Sequence, residues 1–267
     1  QPGPEMVKGY LSHIRFSHCV HVRVRNLTIL GANLLGTYHQ PHEGEHGIVF
    51  DACDDAVVRD CVILRTFGDA MAVTGSPIVP TVPPSIPSTN VLLEASTPLA
   101  SRADGIGRHF LSLTHADTVL LRGWNLGTCG RSVIDAESNR IDEYVKNLAI
   151  ETNTIGAAPL NFLAMGGRGI RENIVARGNL FTGMSMHCKL GSPDEVIDRF
   201  NVSFYDNVSS FIHATGSPLI ALLGVDGFNF AGNVQEFGLP RAVIDIGGGC
   251  ARVSAWQNEC RGASSLF

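Results

Sequence analysis

Between His46 and Thr74 the chain carries three short apolar runs, Ile48 to Phe50, Val57 to Leu64 and Ala70 to Val73, parted by polar or glycine-containing corners. Runs this short, rich in Val and Ile and bounded by turn residues, predict strands rather than helices. One such three-run unit cannot bury its own inner face, so copies must stack above and below it.

The copies are visible. Sliding the chain by 34 residues sets Ile14 on Ile48, Phe16 on Phe50, Cys19 on Cys53, Asn26 on Asp60, Leu27 on Cys61 and Ile29 on Ile63. Downstream, a polar residue closing an apolar run recurs as Glu94, Asn125, Asn153, Asn179, Asn207, Asn233 and Asn258, with steps of 28, 26, 28, 26 and 25 from Asn125 onward. A recurring Asn at one corner can hydrogen-bond to the turns above and below, and it tolerates the left-handed backbone of a sharp corner. The expected fold is all-β: a single-stranded right-handed parallel β-helix of about nine coils, each rising roughly 4.8 Å, in one domain spanning 1-267.

On these residues the chain resembles the right-handed parallel β-helix repeat proteins of the pectate-lyase-like superfamily. Their coils read as HG-apolar-x-apolar, then NVxIxNN, then GD-apolar. The resemblance implies a carbohydrate-active protein, while the superfamily also holds non-catalytic phage tail parts. A similar acid following Gly, and a similar R…D-x-E two coils on, match Gly68, Asp69, Arg131, Asp135 and Glu137 here. The paired Asp-Asp of polygalacturonases has no counterpart, since Asp54 and Asp55 fall in a corner facing away, and the acidic calcium cluster of pectate lyases is not evident.

Composition narrows the picture. A hydrophobic content of 44% with 29 Gly fits many buried strands joined by tight corners, and 17% charged residues suits a chain that points largely inward. The net charge of −5 argues against a nucleic-acid partner. No apolar run reaches membrane-spanning length, so no membrane insertion is expected. The opening residues read as a mature or trimmed start. An extracellular, cell-surface or virion-surface location follows from the resemblance. The seven scattered cysteines form no CxxC pair, so no metal and no cofactor is expected. Cys250 and Cys260 are placed to bridge near the last coil of a secreted chain.

Three insertions, 31–45, 75–89 and 96–108, are expected to rise around one parallel sheet, the front sheet. It comprises 46–50, 69–73, 109–113, 131–135, 161–165, 184–189, 219–223 and 241–246. The second insertion carries five prolines and cannot be a central strand. Loops on a rigid scaffold place a groove over coils two to four. Asp69, His109 and Arg131 begin successive front strands and are expected to form a column. With Asp135 they are the catalytic candidates. His46, Asp51, Glu137, His42 and Arg108 are the substrate-binding candidates. The His39, His42, Glu43, Glu45 and His46 loop has metal-ligand residue types, but a His/Glu-rich loop tip is more often solvated. The segment 262–267 reads as a frayed tail.

Two chemistries fit such a groove. Glycosidic hydrolysis uses one protonated and one ionised carboxyl, and Asp69 with Asp135, two coils apart and near the wider, inverting separation, is the preferred pair. Elimination from a uronate needs a base, His109 or His46, and a cation, Arg131. The expected partner is a polysaccharide or surface glycan. The rival reading is a non-catalytic glycan-binding tail or adhesin module, in which a homotrimer is possible. Under the enzymatic reading, Asp69→Asn abolishes cleavage and leaves thermal stability almost untouched.

Overall fold

The structure, a computed structural model, describes residues 12–79, 82–191, 198–213, 217–238 and 242–267. Its strands assemble into three parallel sheets of nine strands each among the described residues. A single coil runs Ile48–Asp51, Asp54–Arg59 and Val62–Leu64, then climbs to Met71–Thr74 directly above its start. The first of these strands lies in the front sheet, the second in a long-strand sheet and the third in a short-strand sheet. The offset of 34 residues is the spacing of stacked neighbours, because Ile14 pairs with Ile48 and Ile29 with Ile63.

Alternation on each strand sends one set of side chains inward, and stacking turns each inward position into an apolar column. Ile48, Met71, Leu111, Ile134, Leu163, Cys188, Ile220 and Ile244 form one such column in the front sheet, every member essentially buried. Farther along, Phe162 and Phe181 meet edge to face at 4.8 Å inside the tube.

The corner between the long and short strands uses two adjacent columns. Asn26, Asp60, Gly123, Thr152, Gly178, Asp206, Gly232 and Gln257 adopt the left-handed backbone. The residue after the turn points inward, and there Asn153, Asn179, Asn207, Asn233 and Asn258 form a ladder, each Oδ1 accepting the amide of the Asn one coil below. The sequence reading merged these two columns and added Glu94, which pairs with Arg59 and Arg122 one place before the turn. Asn125 does not belong to the ladder: Trp124 occupies that level, donating its amide to Asn153 Oδ1 at 2.9 Å.

Other expectations need correction. Residues 102–104 are a strand of the short-strand sheet, so the third insertion shrinks to the corner before it. The proline-rich insertion forms an antiparallel ribbon of Ser76–Val79 with Val82–Ile86. The C-terminal segment is not frayed. Val243 and Ile244 donate amides to Ser265 and Leu266, which begin another rung on the front sheet. Cys250 and Cys260 are unbridged, since one precedes the last long strand and the other lies in the last short strand. Arg241 lies outside the described residues. No helix among the described residues is long and apolar enough to cross a membrane.

Candidate functional site

The register of the front sheet decides which side chains meet. Ile48, Met71, Leu111 and Ile134 are stacked partners, so the residues two places ahead, His46, Asp69, His109 and Ser132, follow one another up the leading corner. Arg131 falls one residue outside this column. Its guanidinium instead lies over the Tyr38 ring at 4.9 Å, and it does not line the groove. Aligning strands by their first polar residue cannot see this shift, because Arg131 stands three residues before Ile134 where His109 stands two before Leu111.

Asp69 is fully buried. Its Oδ1 accepts the His109 amide at 3.0 Å, and its Oδ2 accepts the Ser112 hydroxyl at 2.7 Å and Arg108 Nη1 at 3.2 Å. The Asp69 amide donates to His46 Nδ1 at 3.0 Å. That bond makes Nδ1 an acceptor, so its 3.2 Å approach to Asp69 Oδ2 is a contact and not a second hydrogen bond. Gly68 permits the close fit: a Cβ there would stand 2.8 Å from His46 Nδ1 and 2.6 Å from the Glu43 carbonyl. Burial alone would raise the Asp69 carboxyl, but the Arg108 guanidinium and the hydrogen bonds from Ser112 and the His109 amide hold it well below the usual carboxylate range.

His109 is 3% exposed and faces away from open solvent. Its Nδ1 lies 2.9 Å from the Ser132 carbonyl. A carbonyl only accepts, so the ring proton sits on Nδ1 and Nε2 carries a lone pair. Burial pushes the imidazole down to about 4, so this neutral form is the one present at neutral pH. Nε2 has no hydrogen-bond donor among the described residues, yet Asp135 Oδ2 stands 3.2 Å away.

Asp135 points outward in the column of Ala72 and Ser112. No residue donates a hydrogen bond to it within the described chain, and Arg108 Nη2 comes only to 4.0 Å. Burial, followed by the nearby Glu137 charge, raises its carboxyl to about 7 against the opposing pull of Arg108. The Asp135 carboxyl, pushed toward its protonated form, thus stands 3.2 Å from the unprotonated Nε2 of His109.

These residues floor a cavity of about 720 Å³ lined by His46, Asp69, Arg108, Ser112, Asp135 and Glu137, with Arg15, Glu43 and Glu143 at its sides. The cavity spans the first rungs of the front sheet and is walled by the first insertion. Of the third insertion as read from sequence, Arg108 reaches the cavity and 96–101 do not line it. Asp51 sits below the cavity, gripping Arg15 at 2.6 Å and receiving the Thr74 hydroxyl at 3.3 Å. His42 is outside, with its ring 4.9 Å from Phe67 and its Nδ1 2.6 Å from Glu45. Among the described residues, no three His, Cys, Asp or Glu side chains converge as metal ligands. Ser112 and Arg15 were not singled out from sequence. A Ser at the outward position of an otherwise apolar strand, Leu111–Leu113, was the available signal for the first.

No family model matches the chain, and no curated protein matches it. Among solved structures it is similar to the Streptococcus pneumoniae surface protein and adhesin PfbA. The TM-score is 0.53 at 11% identity, over 88% of this chain and 72% of that one. The chain is a right-handed parallel β-helix. At this identity the likeness shows the fold of the β-helix alone, and its chemistry rests on the cavity.

Proposed function

We propose that this β-helix binds an extended glycan along the front sheet and hydrolyses a glycosidic bond in the cavity. Asp135 gives its proton to the leaving-group oxygen. Glu137, two residues on and exposed, takes a proton from water, whose hydroxyl adds to the anomeric carbon. The sequence reading had paired Asp135 with Asp69, but both Asp69 oxygens are occupied and the group is sealed. Asp69 is a positioning residue, holding Arg108, Ser112 and the His109 backbone. His109 is a positioning residue too, because its lone pair keeps the acid proton on Asp135.

One observation carries this reading: a buried carboxyl whose titration is pushed up to about 7, facing a polar cavity large enough for sugar rings. A non-catalytic surface-adhesion role is the second reading, favoured by the surface adhesin that shares the fold. An apolar side stripe without converging acids would fit it. Leu180 and Val208 do stack as exposed neighbours on the short-strand sheet, but that patch is brief and the acids do converge. The test is to incubate purified protein with neutral, amino-sugar and uronate polysaccharides, following reducing ends and the ultraviolet absorbance of unsaturated uronate. New reducing ends without that absorbance are expected. Binding with no product of either kind would establish the adhesion role instead.

A further inference from the structure

The cavity holds charge of both signs, but the two signs are not equally available to a ligand. Its two lining arginines are already spoken for: Arg15 Nη2 lies 2.6 Å from Asp51, and Arg108 Nη1 lies 3.2 Å from Asp69 with Nη2 reaching toward Asp135. Asp51 and Asp69 therefore match the two cations one for one. On the acidic side Glu43 accepts the Tyr38 hydroxyl at 2.8 Å, and Glu143 accepts the amides of Asn139 and Arg140. Neither neutral donor cancels its partner's charge. Glu137 makes no hydrogen bond or ion pair among the described residues and is exposed at the cavity rim. Beneath it the Asp135 carboxyl, 3.2 Å from the buried His109 Nε2, faces the same space.

We propose that this site selects glycans without carboxylates and, among them, prefers chains of positively charged amino sugars. The inference rests on the glycan reading given above and sharpens it. A uronate brought in here meets Glu43, Glu137 and Glu143 while both lining arginines are already paired, and like charges in a partly desolvated cleft repel strongly. β-Elimination from a uronate requires its carboxylate to be neutralised, and both arginines that would do so are held by aspartates. An ammonium on a sugar ring instead finds Glu137 unpaired and exposed, able to turn toward it without breaking any contact.

The test is calorimetric binding of the purified protein to oligosaccharides of equal length from three classes, oligoglucosamine, cello-oligosaccharide and oligogalacturonate, at mildly acid pH, with and without added calcium. Oligoglucosamine is expected to bind about tenfold tighter than the neutral chain. That advantage should vanish in Glu137→Gln, whose fold is checked by its melting curve. It should also vanish on raising salt from about 0.05 M to about 0.5 M, which reports the same charge effect without a substitution. Oligogalacturonate binding as tightly as the neutral chain, with calcium or without, overturns the inference while leaving the glycan reading intact. Equal affinity for the amino and neutral chains overturns it as well. Failure of all three classes to bind removes the glycan reading itself, and this inference with it.

Discussion

His109 Nε2 stands 3.2 Å from Asp135 Oδ2, and burial lowers the imidazole to about 4 while it raises the carboxyl to about 7. In an unfolded chain at pH 5.5 the reverse holds, with imidazolium and carboxylate as the ordinary forms. Folding moves one proton from His to Asp and turns an ion pair into a neutral pair, because burial penalises both charges.

This exchange has a signature in stability against pH. The Asp135 carboxyl rises from 3.8 to about 7 on folding, so alone it takes up a proton and makes stability fall as pH rises from about 4 to about 7. His109 drops from 6.5 to about 4, so alone it releases a proton and makes stability rise with pH between about 4 and 6.5. Together they cancel. Urea unfolding between pH 4.5 and 6.5 should show almost no slope from this pair in the native protein. Asp135→Asn, which still donates to Nε2, should gain a positive slope approaching about 1.4 kcal/mol per pH unit, and His109→Leu a negative one. Parallel slopes in all three proteins would show that the proton is not shared in this way.

Catalysis should depend on the same proton. If Asp135 is the acid, cleavage falls on the alkaline side with a midpoint at about 7. Asp135→Asn should lower turnover by roughly 100-fold or more while leaving glycan affinity close to native, since an amide keeps the shape and the bond to His109. Reducing-end rates across a pH series check both. A rate that keeps rising to pH 9 would remove Asp135 from the acid role.

Asp69 behaves differently from what its place after Gly68 suggests. Asp69→Asn turns one acceptor oxygen into a donor that faces the Ser112 hydroxyl and Arg108, and it leaves that guanidinium without its closest counter-charge. Breaking a buried charged network of this kind costs on the order of 3–5 kcal/mol. The variant is expected to melt well below the native protein, against the sequence-based expectation of an unchanged midpoint. Denaturant unfolding monitored by circular dichroism measures it. A native midpoint with lost activity would return Asp69 to the catalytic group.

How far the sequence could be read follows from what repeats. Ile14 and Ile48, or Ile29 and Ile63, announce stacking because an inward apolar position must be apolar on every rung. The front strands were legible for the same reason. Arg131 was misplaced because polar corners carry no such constraint, so the polar residue that opens a strand need not stand at the same level on every rung. Arg171 and Arg199 were missed outright. Both are fully buried, in register with Val145 and Val225, and their guanidinium groups cap corner carbonyls of Gly169 and Met165. Nothing local distinguishes them from surface arginines. The burial of Asp69 was equally hidden, since it arises from Ser112, Arg108 and His109, all some 40 residues away.

The asparagines separate two reasons for one residue type. Asn207 is wholly buried: its Oδ1 accepts the amide and Nδ2 of Asn179, while its Nδ2 reaches the Ala176 carbonyl at 3.0 Å and Asn233 Oδ1 at 2.9 Å. Asn207→Leu leaves the Asn179 amide and the Ala176 carbonyl without those partners in the interior, each orphan costing about 1–3 kcal/mol. Asn173 also sits in a ladder, donating to Asn147 Oδ1 at 3.0 Å, but it is exposed and holds a left-handed backbone at φ 56°. There water replaces the lost bond and glycine accepts the conformation, so Asn173→Gly should change stability by no more than about 0.5 kcal/mol. Urea midpoints of the two variants give the comparison. Similar losses at both positions would mean that the inner ladder contributes nothing beyond corner geometry, and that water reaches it as freely as it reaches the outer one.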